Sequence, residues 1–259
     1  MQKYSVLGCG IYTPHFNDAA AWLQGTPSPT EIPASGDVLD RRSRRISSEL
    51  MRALVQVAHQ AATQANADLS IIPSVYGAAL GEVQTMVSLL DQIWVENEAP
   101  SPMAFAASVH NAAAGVASIS FKNQGFTTSV AANFDTPAMS LFEGAALLET
   151  GCPHVLIVCG DEASPDRLMN HYPTWKTACA AVVLSANAAD KNRIATITLP
   201  TRSDERIPLD SALEEQPASL QNNPCFGMVA LVDAILHQRH GQVMLDAGRG
   251  RGWCTDVGS

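Results

Sequence analysis

None of the six cysteines, at 9, 152, 159, 179, 225 and 254, stands in a CxxC pair, and no histidine spacing accompanies them. No tetrahedral zinc site can be closed from such a pattern, so no metal or cofactor is expected and the thiols read as reduced, as in a cytoplasmic chain. Neither GxSxG nor GxxxxGK[ST] occurs, which removes a hydrolase elbow and a phosphate loop. No uninterrupted apolar run approaches about 18 residues, and the opening MQKYSVLGCG lacks the apolar stretch and cleavage site of a secretory signal. Positive charge is also scarce. The 16 Lys and Arg are outweighed by 25 Asp and Glu, giving −9, so duplex nucleic acid and anionic membrane are poor partners. Internal repeats and low-complexity linkers are absent. What remains is a chain of 259 residues, 46% apolar, long enough for one large core, and a single α/β domain over 1–259 is expected.

The order of elements follows from apolar patterning. Residues 4–12 form a buried strand broken by Gly8 and Gly10, and 18–23 a weak helix before a proline-rich stretch. Ile46, Leu50, Leu54, Val57, Ala61 and Ala65 recur at helical steps and predict one long helix after the arginines at 41–45. A strand at 74–81 and a helix at 83–96 follow, the latter with Val87, Leu90 and Trp94 on one side. Residues 108–123 are a helix of small residues. The strand 126–132, the helix 136–150 and the strand 153–159 make a βαβ unit, so the sheet is at least partly parallel. Strands at 178–184 and 193–199 read as a hairpin, 201–223 as a polar loop, and a last helix opened by Pro224 runs to about His240. Short strands at 242–247 and 252–257 then flank Gly248-Arg-Gly-Arg-Gly, which has no helix behind it to cradle phosphate and reads as a hairpin turn.

Four features could carry chemistry. Asp161 and Glu162 end a strand, where they would act as general acid or base, or else satisfy backbone donors of the following loop. His110, on the small-residue helix, is a base or a packed histidine. Arg41, Arg42, Arg44 and Arg45 hold a quarter of the cationic side chains within five positions; they dock an acidic protein or a phosphopantetheine phosphate, or form a solvated loop. The corner 131–137 between strand and helix is where a nucleophile would gain from a helix N-terminus, yet it contains no thiol.

The run Ser101-Pro102 through Phe105, then Ser108-Val-His-Asn111 to Gly115, Thr127-Thr-Ser-Val-Ala-Ala132, Gly144, Gly151 and Val158-Cys-Gly160-Asp-Glu162 resembles the N-terminal half of the β-ketoacyl-acyl carrier protein synthases. The match is clearest over 75–165. The resemblance implies a thiolase-like layered α/β/α fold and, counted from either flank, puts the family's nucleophilic cysteine at Phe134. It also departs from the family, because no HGTGT-like string or second βαβ set follows. Within the family the pattern resembles a shortened chain length factor of a type II polyketide or aryl-polyene ketosynthase pair, a subunit that is no enzyme on its own.

That resemblance implies a ketosynthase subunit and an acyl carrier protein as partners. Phe126, Thr127, Thr128, Ser129, Val130, Ala131 and Ala132 would be the interface strand. A helix over 103–115 would present Ala104, Val109, Ala112 and Ala113 to the acyl tunnel, while Phe134 fills the vestigial pocket. A half architecture would also leave an apolar sheet edge and a helix face uncovered. Two other readings compete: a reduced thiolase-like acyltransferase or decarboxylase using Cys159, Asp161 or His110, and a homodimeric carrier-protein-binding module using the arginines.

Overall fold

The computed structural model describes residues 2–259 except 169–172, 206 and 247. Arg206, within the polar loop expected over 201–223, and Ala247, the end of the strand expected over 242–247, therefore lie outside the described residues. The elements are β1 (Lys3–Tyr12), α1 (Ala19–Leu23), α2 (Arg41–Ile46), α3 (Glu49–Ala65), β2 (Ser74–Gly77), α4 (Val83–Trp94), α5 (Pro102–Ala107), α6 (Ala112–Phe121), β3 (Thr127–Val130), α7 (Thr136–Glu149), β4 (His154–Asp161), β5 (Ala178–Ser185), β6 (Ala195–Thr198), β7 (Thr201–Arg202), α8 (Ser211–Glu214), α9 (Ala218–Gln221), α10 (Phe226–Leu236), β8 (Gly241–Met244) and β9 (Trp253–Gly258).

One mixed sheet organises them, in the order β3-β2-β4-β5-β1-β6-β9. β2 is parallel to β3 and β4, as the βαβ unit requires, and β5 runs antiparallel to β4 and β1. β6 and β7 share one side of β9 while β8 takes the other. The central strands read as continuous apolar runs because both faces are covered. Along β5, Ala178, Ala180, Val182 and Leu184 enter the core beneath α7 and α10, whereas Cys179, Ala181 and Val183 enter the core beneath α3 and α6. A bulge between Val6 and Gly8 reverses the parity of β1, so that Gly8 and Gly10 come to face α3. A Cβ on Gly10 would lie 2.2 Å from the Val57 carbonyl oxygen; only glycine lets this helix seat so closely.

Several expectations are corrected. The strands at 178–184 and 193–199 are no hairpin: β1 inserts between β5 and β6 and pairs with both. The long helix is two helices, because Ser48 turns extended and caps α3 by accepting from the Met51 N–H; Ile46 ends α2, exposed, off the buried face of α3. The arginine cluster is likewise helical, with Asp40 accepting from the Arg42 and Ser43 N–H groups as its cap. Residues 103–115 do not form one helix, since α5 and α6 are separated at 108–111. The apolar side of α4 is left largely uncovered: Val83 and Leu89 are its buried apolar residues, and Leu90 and Trp94 stand in solvent. Residues 201–223 carry β7, α8 and α9, and the last helix stops at Leu236 rather than near His240.

Candidate functional site

The corner between β3 and α7 is tightly held and contains no thiol. Asn133 takes φ +54°, a left-handed conformation asparagine tolerates, and starts a single 3-10 turn over Asn133–Asp135 before α7 begins. The Thr136 hydroxyl locks the corner by donating to the Asn133 carbonyl at 2.7 Å and accepting the Ala132 N–H at 3.0 Å. Phe134 is half-buried there, and the Arg249 guanidinium lies 5.8 Å from its ring centroid.

Arg249 comes from the β8–β9 hairpin, whose turn the glycines 248–252 do form. Asp246 closes that turn by accepting from Gly248 and Gly252 N–H, and Asp135 accepts the Arg251 N–H at 2.9 Å. A Cβ on Gly250 would fall 2.2 Å from an Asp135 carboxylate oxygen, so the hairpin tip rests directly on the corner. Arg249 is further held by a hydrogen bond to the Asn222 side-chain oxygen. Sequence spacing could not join residues more than 110 positions apart; the one local clue was Asp246 two places before Gly248, an Asx-turn pattern.

The acidic pair at the end of β4 serves the backbone, though of the preceding loop and not the following one. Asp161 accepts the N–H groups of Ala79, Leu80 and Gly81 at 2.8, 2.8 and 3.0 Å, and the Cys225 thiol at 3.2 Å. Burial raises its pKa, and these donors pull against that rise. Glu162 accepts the Gln84 N–H at 2.8 Å; burial and its acidic neighbours, Glu82 first, push it up to about 8. Glu82 is itself raised to about 7 by burial, and one of its carboxylate oxygens has no partner among the described residues. Cys159 is wholly buried and its thiol is pushed up to about 12. His110 is exposed in the turn between α5 and α6, not on a small-residue helix, and its Nε2 is 3.4 Å from the Ala79 carbonyl oxygen. Among the described residues no group of three or more His, Cys, Asp or Glu is placed to hold a metal, and no helix is long and apolar enough to cross a membrane.

Beside this corner lies an unfinished flank. β3 is the edge of the sheet and is shorter than expected; Phe126, Ala131 and Ala132 lie outside it, with Phe126 exposed. Ser74 and Ala78 donate their N–H groups to the carbonyls of Phe126 and Val130, so the even-numbered residues face β2 and the amides of Thr127 and Ser129 point outward. On α4 and α5, Leu90, Ile93, Trp94, Met103 and Phe105 are exposed.

Between α2, the start of α3, α5 and α6 runs a groove of about 760 Å³. Ala104, Val109 and Ala112 line it, joined by Met51, Val116 and Ile119, which the sequence reading missed. Ala113 does not line it: it is buried against the α3 side of the core. Arg45 lines it and also borders a second cavity, of about 440 Å³, lined by Leu39, Arg41, Arg44 and Arg52. Arg44 pairs with Asp37 at 2.8 Å, and Arg42 lines neither cavity.

The β-ketoacyl synthase N-terminal domain model matches residues 20–253. No curated protein matches. Among solved structures, a chain of the ketosynthase (ApeO)–chain length factor (ApeC) complex from Xenorhabdus doucetiae superposes with a TM-score of 0.71 at 21% identity, covering all of both chains. The ishigamide ketosynthase/chain length factor gives 0.71 at 14% identity over 98% of each chain. A type II polyketide acyl carrier protein–ketosynthase complex, AntDE:AntF, gives 0.71 at 12% identity, covering 100% of this chain and 99% of its own. At these identities the likeness establishes the thiolase-like ketosynthase fold.

Proposed function

This chain belongs to the β-ketoacyl synthase family, and on that premise we propose that it is a chain-length-factor-like subunit, without condensing activity of its own, that pairs with a ketosynthase and helps shape its acyl tunnel. The observation that carries this is Phe134. The nucleophile turn is kept, its backbone locked by Thr136, but a phenylalanine capped by Arg249 stands where the family's thiol would form the acyl thioester. A side chain without a nucleophilic atom cannot accept the acyl group.

The flank supports the pairing. Outward amides at Thr127 and Ser129 on an edge strand suit sheet extension, and exposed Trp94 and Phe105 on α4 and α5 suit an apolar interface. The solved structures of the same fold include ketosynthase–chain length factor complexes and one with an acyl carrier protein, which are the partners proposed here. Ala104, Val109 and Ala112 then contribute tunnel wall for a growing polyketide or polyene chain, and the arginines of α2 help recruit the acidic carrier protein. The alternative of an acyltransferase or decarboxylase acting alone is disfavoured by Cys159, a buried thiol raised to about 12, and by Asp161, whose oxygens are occupied.

Two measurements test the reading. Co-expressed with a cognate ketosynthase, the chain is expected to co-elute as a heterodimer burying on the order of 2,000 Å² or more. Intact mass after incubation with acyl carrier protein or acyl coenzyme A is expected to show no adduct on this subunit. A stable acyl adduct on any of its residues, or a monodisperse monomer with no affinity for a ketosynthase, sinks the proposal. Within an intact heterodimer, Ala112→Phe is expected to shorten the product while leaving the first condensation in place.

A further inference from the structure

We propose that the arginine-lined cavity where α2 meets α3 binds a free oligophosphate, the di- or triphosphate chain of an inorganic or nucleotide anion, held by Arg41, Arg44, Arg45 and Arg52. The site is formed by this chain alone and goes beyond the pairing with a ketosynthase, although it shares three arginines with the helix assigned to carrier recruitment.

The helix places the charges. Arg41, Arg44 and Arg45 stand three and four positions apart on α2 and so share a face, while Arg42, one position on, falls outside the lining. The fourth guanidinium comes from α3. Arg52 donates through Nε and Nη2 to the Ser47 carbonyl at 3.2 and 2.9 Å, which ties it to the end of α2. Its stem is pressed against Gly36, where the backbone takes φ +62° and a Cβ would fall 2.9 Å from Arg52 Cγ. Leu39, buried, is the remaining lining residue. The cavity therefore gathers four guanidinium groups, one of them fixed before any ligand arrives, with no carboxylate in its lining.

The ligand class follows from the charge count. Four like charges around about 440 Å³, in a chain of net charge −9, call for an anion. Among the described residues the only carboxylate paired with any of them is Asp37, 2.8 Å from Arg44, and both side chains of that pair are exposed. Asp40 accepts from the Arg42 and Ser43 amides and the Ser43 hydroxyl as the cap of α2, and does not line the cavity. Four cations against one paired anion leave a surplus of three. A phosphodiester, as in a phosphopantetheine arm, supplies a single negative charge. A di- or triphosphate chain supplies roughly three or four, and its successive phosphoryl groups can each accept a guanidinium fork. Arg45 also lines the neighbouring apolar groove, but Leu39 is the one apolar residue of this cavity, which offers an alkyl chain no seat.

The test is calorimetric titration of the protein, alone and in its heterodimer, with inorganic triphosphate, inorganic diphosphate, ATP and phosphopantetheine at one ionic strength and without divalent cations. Saturable one-to-one triphosphate binding at least tenfold tighter than phosphopantetheine is expected. ATP binding as tightly as triphosphate would assign the chain to a nucleotide, and triphosphate binding with ATP excluded would assign it to an inorganic anion; either upholds the site. Arg41→Gln and Arg45→Gln, both at exposed positions, should each weaken triphosphate binding at least fivefold, whereas Arg42→Gln should leave it within twofold. Circular dichroism establishes that each variant is folded. Absence of saturable binding, phosphopantetheine binding as tight as triphosphate, or an Arg42→Gln loss equal to that of Arg45→Gln overturns the proposal, the last by showing only a diffuse attraction. Heterodimer formation, measured separately by gel filtration, can succeed or fail independently of these titrations.

Discussion

Helices α10 and α4 are of similar length, yet the apolar side chains of the two meet opposite fates. All but the last residue of α10, Phe226 to Ile235, is buried, in a core cluster that also takes in Phe16 and Trp22 from the N-terminal segment, Leu213 and Leu220 from α8 and α9, and Leu245. The Trp22 indole N–H even reaches Asp233 at 2.7 Å to satisfy its carboxylate within that interior. On α4, by contrast, Trp94 is 79% exposed and Leu90 41%. The chain's own other segments thus cover α10, whereas α4 and α5 keep Trp94, Met103 and Phe105 in solvent; the edge strand β3 is not the apolar edge expected, since it carries the hydroxyl side chains of Thr127, Thr128 and Ser129. On the proposed reading, the exposed side chains of α4 and α5 are the ones that meet the partner.

Substitutions on the two sides should thus fail in different assays. A Cβ at Gly227 would lie 1.8 Å from the Leu245 carbonyl oxygen, a backbone atom that cannot yield. Gly227→Val is expected to leave the protein insoluble or without a cooperative melt. Trp94→Ser with Phe105→Ser should change unfolding stability by less than about 1 kcal/mol, since neither side chain is buried in the isolated chain, while abolishing co-elution with a ketosynthase. Comparable melting losses in the two variants would erase the distinction between a finished and an unfinished side.

The edge strand permits a finer cut. Proline at 129 removes an amide that points away from β2, so the ladder within the chain survives. Ser129→Pro is expected to keep a folded monomer and to weaken heterodimer formation by tenfold or more, as read by surface plasmon resonance. Unchanged affinity would mean that the partner packs on α4 and α5 without extending the sheet.

How much of this asymmetry was legible in the sequence depends on range. β4 and β5 were recognisable because strands buried on both faces are continuous apolar runs. The break at Ser47-Ser48 was missed because Ile46 happens to continue the helical period across a capping serine, and periodicity outweighed the cap. The insertion of β1 between β5 and β6, and the seating of Arg249 over Phe134, join residues far apart in the chain, which no local pattern encodes. The exposure of Leu90 and Trp94 on α4 is not legible for a different reason: a helix that buries its apolar side in a partner has the same period as one that buries it in its own core.

The acids beneath α4 add a pH dependence to the flank. Glu82 and Glu162 are raised from 4.5 to about 7 and about 8, chiefly by burial, so each binds its proton more tightly folded than unfolded. Their stabilisation is complete below about pH 4.5 and is lost as pH rises through 7 to 8. The carboxyls of Asp40 and Asp68, lowered by hydrogen bonds from Ser43 and Ser70, act with the opposite sign, but below their ordinary 3.8 and hence outside this window. Urea unfolding should show stability falling steadily between about pH 5 and pH 8, with Asp161, raised by burial as well, acting in the same direction. Glu162→Gln, which still accepts the Gln84 N–H, should flatten that fall. A wild-type profile that is level or rising over the window would show that the two acids are ionised in place.

The smallest expected effect concerns the arginines of α2. Arg42 is exposed and lines neither cavity, so reversing its charge alters the field of the cluster without touching the groove. If α2 helps recruit an acidic carrier protein, Arg42→Glu in the heterodimer should slow condensation severalfold at low ionic strength, mainly through KM for the carrier. The loss should shrink toward the unmutated rate as added salt brings the Debye length below about 8 Å, because a rim charge acts through a screened field rather than a buried contact. A condensation rate unchanged at low salt would show α2 to be a solvated helix whose charges take no part in recruiting the carrier.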